Sequence, residues 1–169
     1  MKAIFITDKD LKRYSVLDGN LDSSKFMAYV EIAQDIHVQS YLGTDLYEKI
    51  MSLIVNNTID EAQNAVYKTL LVSYIKPMLI QWSLVQFYPF VAYTIANGGV
   101  FKHRSETSET VSKEEVDYLQ EQSRITANYY SERLVRFLCD KSNDYPEYNT
   151  NTGSDISPSG ETDFLSWII

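Results

Sequence analysis

Residues 62–87 read AQNAVYKTLLVSYIKPMLIQWSLVQF, and the fold turns on how this stretch is read. It is helical in character, with Val66, Leu70, Tyr74 and Ile75 at helical spacing near its start and Asp60 as the candidate N-cap. From Leu70 onward it is apolar nearly all round. Such a helix has to be covered on every side, so it is the central element of a bundle. A chain of this length offers few other helices to cover it, which favours self-association. Pro77 removes one helix hydrogen bond and predicts a kink, while Pro89 predicts the helix end or a second bend.

On the N-terminal side, Ile4-Phe5-Ile6 reads as a short extended arm leading to an N-cap at Thr7 or Asp8 and a brief helix over residues 9–14. Asp18-Gly19-Asn20 is a turn. A helix starting at Ser23 or Ser24 then carries Phe26, Val30, Ala33, Ile36 and Leu42 on its apolar side and ends at Gly43. Thr44 is positioned to cap the next helix, whose stripe is Leu46, Ile50, Leu53 and Ile54 before Asn56-Asn57 breaks it. Two amphipathic helices joined by almost no loop make a hairpin or corner.

On the C-terminal side, Asn97-Gly98-Gly99 is the strongest breaker, and the polar, β-capable stretch after it reads as a hairpin or protruding loop. Ser112 and Glu115 form the S-x-x-E pattern that opens a long helix. Its stripe is Val116, Leu119, Ala127, Tyr130, Leu134 and Phe137, and it should lie antiparallel to the central helix. After Cys139, read as a small buried hydrophobe, the composition turns to Asn, Thr, Ser, Gly, Asp and Pro with no apolar period. The chain closes on Asp163-Phe164-Leu165-Ser166-Trp167-Ile168-Ile169, an apolar cluster suited to docking in a groove of its own chain or a neighbour's.

The expectation is thus an all-α fold: a bundle of about four to five helices with a long kinked central helix. A small β-hairpin or loop insertion (residues 97–112) sits between the two longest helices. Residues 1–139 form the helical domain and residues 140–169 an extended C-terminal tail. The chain has 169 residues, with six glycines and four prolines, too few for a sandwich or barrel. A charge-free stretch between Lys76 and Lys102 is long enough to span a bilayer. Pro77, Gln81, Gln86, Pro89 and Asn97 interrupt it in a way that fits a protein core, so no membrane partner is expected. The charged N-terminus lacks the apolar segment of a secretory signal, and the chain is expected to start at Met1.

A net charge of −8 and a pI near 4.7 argue against a groove that grips phosphates. They remain compatible with a protein that surrounds DNA without holding it. No phosphate loop, zinc-ligand pair or nucleophile elbow occurs, and neither His37 nor His103 has ligands at metal spacing, so no catalytic residue, metal or cofactor is expected. Glu31 and Asp35 lie four apart on one helical face, where a solvated polar face competes with acid/base chemistry. Lys102-His103-Arg104 is a basic spot with Glu106 and Glu109 close behind. Thirteen tyrosines, among them Tyr129, Tyr130, Tyr145 and Tyr148, point to a protein interface more than to a base-stacking platform.

Several short motifs, in order, carry a resemblance. They are Phe5-Ile6-Thr7-Asp8 with Leu11; Ile32-Ala33-Gln34 running into Tyr41-Leu42-Gly43-Thr44-Asp45-Leu46-Tyr47; Tyr88-Pro89-Phe90; Asn97-Gly98-Gly99-Val100; Glu132-Arg133-Leu134; and Tyr145-Pro146-Glu147-Tyr148. Together they resemble the head-to-tail connector proteins of tailed bacteriophages, most closely the ring proteins of crAss-like phages that infect Bacteroides. The resemblance implies a twelve-fold virion ring, assembled in the host cytoplasm, bound to the portal protein on one side and the next tail or ring protein on the other. DNA would pass through it without sequence-specific binding. It implies that the loop bearing Val100, Phe101, Lys102, His103, Arg104, Glu106 and Glu109 faces the channel or an adjacent ring. It also suits Tyr145, Tyr148, Phe164, Leu165, Trp167, Ile168 and Ile169 as ring or partner contacts, since a cyclic ring needs two different patches per subunit. The alternative is a monomeric helical binding module or regulator that recruits a protein through its tail.

Overall fold

A computed structural model describes residues 2–14, 23–90, 93–96, 99–102, 112–150 and 155–159. Helix α1 (Asp8–Tyr14) is capped by Thr7: its hydroxyl oxygen accepts from the Asp10 amide at 3.4 Å, and Asp10 Oδ2 accepts from the Thr7 amide at 2.8 Å. Asp10 also meets Lys76 at 2.8 Å, tying α1 to the centre of the fold. Burial pushes the Asp10 carboxyl up, but the Lys76 ammonium and the Thr7 donors outweigh it and leave its pKa below the ordinary value.

Helix α2 (Ser23–Ala33) continues through a π-helical turn, Gln34–Val38, into α3 (Gln39–Leu42). Phe26, Val30, Ala33 and Leu42 are fully buried, as their spacing predicts. Ile36 is not: it is 53% exposed, and Val38 is buried instead. The wider turn shifts the helical phase, so a stripe extrapolated at 3.6 residues per turn falls on the wrong side. Gly43 ends α3 with φ 74° and ψ 161°, a conformation that a Cβ would obstruct. Helix α4 (Thr44–Val55) follows directly, burying Leu46, Ile50 and Leu53 and ending at Asn56 and Asn57, the latter at φ 56°. Thr44 is the first residue of this helix rather than its side-chain cap.

The central stretch is one helical path in several registers: a 3-10 turn Ala62–Asn64, α5 (Ala65–Leu70), a π-helical turn Leu71–Ile75, α6 (Lys76–Phe87) and a 3-10 turn Tyr88–Phe90 that carries Pro89 at the helix end. Asp60 does not cap it; Glu61 holds the extended position before the first turn, and Asp60 pairs with Lys68 at 3.0 Å. The irregularity attending Pro77 is the π-helical turn just before it, where the Lys76 amide bonds the Leu71 carbonyl five residues back.

Met78, Leu79, Ile80, Trp82, Leu84, Val85 and Phe87 of α6 are all buried within a single chain, under α2, α1 and α7 (Lys113–Asp140). The apolar surface of α6, from which self-association was expected, is packed within one chain, while Val66 and Val72 of the preceding turns stay exposed. Helix α7 has 28 residues, is opened by the Ser112/Glu115 capping box and runs antiparallel to the central helix. Gln120 reaches the Val85 carbonyl at 2.9 Å, Trp82 reaches Ser131 at 3.0 Å, and Tyr74 stacks on Phe137 at 4.0 Å, one position falling as the other rises. Small residues on the inner face, Ser123, Ala127 and Ser131, let the two helices approach closely around bulky α6 side chains. Ser112→Ala removes one half of the capping box; the expected result is a loss of about 1 kcal/mol in urea denaturation with the helical circular dichroism of the native state unchanged.

Between the long helices, β1 (Tyr93–Ala96) pairs antiparallel with β2 (Gly99–Lys102), Tyr93 opposite Lys102 and Ala96 opposite Gly99. The hairpin therefore begins before the Asn97-Gly98 breaker and not at it.

Beyond Asp140 the chain is not yet an extended tail. A 3-10 turn, Ser142–Asp144, leads to α8 (Pro146–Thr150), which packs on α4. Tyr145 is 1% exposed, and its hydroxyl donates to the Val66 carbonyl at 3.0 Å. Tyr148 is partly buried against the same core. Of these two expected interface residues, Tyr145 is instead a core side chain, because the turn after α7 folds the segment back onto α5, whereas Tyr148 keeps part of its surface exposed. Cys139, expected to be buried, is exposed: Leu138 takes the inward position.

Candidate interaction surfaces

The carboxylates that invited an acid/base reading, Glu31 and Asp35, are both held by Lys2, at 3.2 Å for Glu31 and in closer contact for Asp35. Burial depresses the Lys2 pKa, but its hydrogen bonds to Asp35 and Glu31 reverse that and raise it. The carboxylates thus fasten the N-terminal arm to α2. Beside them, the Gln34 amide completes the attachment: its oxygen accepts from the Phe5 amide at 2.8 Å, and its nitrogen donates to the Ala3 carbonyl at 3.0 Å and the Tyr47 hydroxyl at 2.9 Å. Among the described residues no group of three or more His, Cys, Asp or Glu side chains is placed to hold a metal ion. His37 stacks on Trp82 with ring centroids 3.7 Å apart, a packing role. No helix among the described residues is long and apolar enough to cross a membrane.

Apolar side chains reach the surface in two places that bear on partners. The first is the outer face of α7, where Tyr118 (63% exposed), Ile125 (46%) and Tyr129 (61%) recur at spacings of seven and four, opposite the buried Ser123, Ala127 and Ser131. Leu119, expected in the core stripe, is also exposed beside Tyr118. The first turns of this face carry Glu114, Glu115, Asp117 and Glu121, whereas Arg124, Arg133 and Arg136 lie farther along, so charge changes sign along the helix. The sequence signal for this face is an apolar period out of phase with the core stripe: Tyr129 stands out in it by residue type, whereas Tyr118 and Ile125 join it only through the orientation of the helix. The second place is the flank of α2, where Ile32 and Ile36 stand exposed in line with Tyr29, whose ring meets the half-exposed Phe90 at 5.6 Å.

The C-terminal segment engages the corner between α3 and α4. In an unbroken helix the Thr44 amide would bond the Ser40 carbonyl. Here Gly43 opens that bond, and the tail supplies both partners: Thr44 N–H donates to Ile156 O at 2.9 Å, and Ser159 N–H donates to Ser40 O at 2.9 Å. The Thr44 hydroxyl accepts from the Ile156 amide at 3.0 Å and donates to Asp155 at 3.3 Å, while Gln39 also donates to Asp155 at 3.2 Å. The threonine expected to cap α4 anchors the tail.

Of the remaining expected contact residues, Val100, Phe101 and Lys102 belong to β2. His103, Arg104, Glu106 and Glu109 of the loop, and Phe164, Leu165, Trp167, Ile168 and Ile169 of the terminus, lie outside the described residues, as does Asp18-Gly19-Asn20.

Residues 38–158, more than half of the chain, match a family described as a family of unknown function, DUF6712. No curated protein and no solved structure matches the chain.

Proposed function

We propose, for a chain that belongs to the DUF6712 family of unknown function, a structural role without catalysis. In this reading it is a head-to-tail connector ring of a tailed-bacteriophage virion, joining portal to tail around the DNA channel. The observation that carries it is the exposed stripe Tyr118, Ile125 and Tyr129 on a 28-residue helix whose opposite face is already buried. Aromatic side chains exposed in line on a rigid helix are the composition of interface centres. The negative net charge suits a ring that lets DNA pass without holding it, and the ordered motifs described above supply the resemblance to connector proteins.

A monomeric helical binding module is the second reading, and one observation favours it: the apolar side chains of α6 are buried within one chain, leaving only Val66 and Val72 among the large apolar side chains of the central stretch exposed, so folding does not require a neighbour. Solution mass by light scattering separates the two, for the protein alone and after mixing with the portal ring from the same genome. A ring-sized particle, or a discrete mass increment on the portal, is the expected result; a monomer that ignores the portal overturns the connector reading. In the ring-forming condition, Ile125→Glu combined with Tyr129→Ser is expected to abolish the higher mass while changing unfolding stability by no more than about 0.5 kcal/mol, since both side chains are on the surface.

A further inference from the structure

We propose that the apolar C-terminal residues Phe164, Leu165, Trp167, Ile168 and Ile169 of this chain cover the exposed strip formed by Ile36, Ile32 and Phe90 of the same chain, which the partly buried Tyr29 joins. The inference is independent of the connector reading and rests on where the clipped tail leaves the fold. Ile156 is held at the start of α4 and Ser159 at the end of α3, so the chain crosses the Gly43 corner toward the helix that presents Ile36 and Ile32. Ser40, where Ser159 is bonded, is four positions beyond Ile36 and eight beyond Ile32. That separation is roughly 12 Å along a helix. Residues 160–169 follow, and at roughly 3.3 Å per residue an extended run of this length reaches more than ~30 Å. The apolar cluster can therefore be laid over the strip with chain to spare.

Chemistry matches on both sides. The strip carries two isoleucines about half exposed and an equally exposed phenylalanine with the Tyr29 ring against one side. The terminus offers Phe, Leu, Trp and two Ile with no charged side chain after Asp163. Tethered so near, the terminus faces its own strip at an effective concentration on the order of mM, which favours its own chain over a neighbour at the dilution of a purified sample.

Trp167 is the reporter, read in the full-length protein by acrylamide quenching, with the Trp167→Phe protein subtracted to remove the contribution of Trp82. The expected result is quenching severalfold weaker than in a peptide of residues 160–169, unchanged on dilution. Ile32→Asp combined with Ile36→Asp is expected to bring it to the peptide value with helical circular dichroism retained. Ile36→Ser alone is the milder variant and should move quenching partway. Peptide-like quenching in the unmodified protein overturns the proposal. So does protection that survives the Asp substitutions, or protection that disappears on dilution together with a fall in mass, which would assign the strip to a neighbour's terminus.

Discussion

Tyr145→Ala is expected to destabilise the protein by about 3–5 kcal/mol, the range for removing a buried aromatic side chain. Tyr145 lies where three elements meet. Its ring contacts Tyr67 of α5 edge-on at 5.8 Å and Phe137 of α7 at 6.0 Å, and its hydroxyl is bonded to Val66. One residue pair on, the Tyr67 hydroxyl donates to both oxygens of Glu147, at 3.0 and 2.9 Å, so loss of the Tyr145 ring also loosens the start of α8. Tyr145→Phe keeps the ring and leaves the Val66 carbonyl to find water, with an expected loss of about 1 kcal/mol. Urea denaturation of both variants checks the ratio. Similar losses for the two would show that the hydroxyl, and not ring packing, holds the segment.

The same residues set an alkaline limit. Burial, with the nearby Asp144 charge, pushes the Tyr145 pKa up to about 12 from 10.0, and burial together with the Glu147 carboxylate pushes Tyr67 up as well. A phenol whose pKa is higher in the folded state keeps its full contribution below its ordinary pKa and loses it as pH rises toward the folded value. Stability is therefore expected to fall between about pH 10 and 12, and Tyr145→Phe should flatten that fall.

Gln34→Ala is the second large effect, about 2–4 kcal/mol, because it strands the buried Phe5 amide and removes the amide cross-link between the N-terminal arm and Tyr47. Gln34→Leu restores most of the volume but not the polar partners, and about 1–3 kcal/mol should remain lost. Phe5 and Ile6 are both 2% exposed, so the arm is part of the core and its detachment uncovers apolar surface. Hydrogen exchange of the Phe5 amide reads this directly: slow in the unmodified protein, fast in both variants. Slow exchange in Gln34→Leu would mean that the arm is held by burial of Phe5 and Ile6 alone.

Local chemistry explains what could be read ahead of the structure. The Ser112/Glu115 box, the Gly43 stop and the Asn56-Asn57 break each depend on residues a few positions apart, and each is where it was expected. The π-helical turns at Gln34–Val38 and Leu71–Ile75 have no comparable signature, and the first of them moved Ile36 from the expected core to the surface. For the surfaces, Tyr129 could be singled out by type, whereas Tyr118 and Ile125 became visible only once the inward face of α7 was known.

What the sequence determined by itself is the helical class, the order of the helices up to Asp140, the Ser112/Glu115 cap and the apolar central helix, since backbone sterics and helical periodicity act within one or two turns. Tertiary structure alone decided that α6 is clothed by its own chain, that Tyr145 is interior, that Glu31 and Asp35 serve Lys2, and that Thr44 holds the tail. Those outcomes join positions tens of residues apart. An apolar or polar side chain carries no record of which distant partner will cover it, so only the packed arrangement of the helices assigns each one.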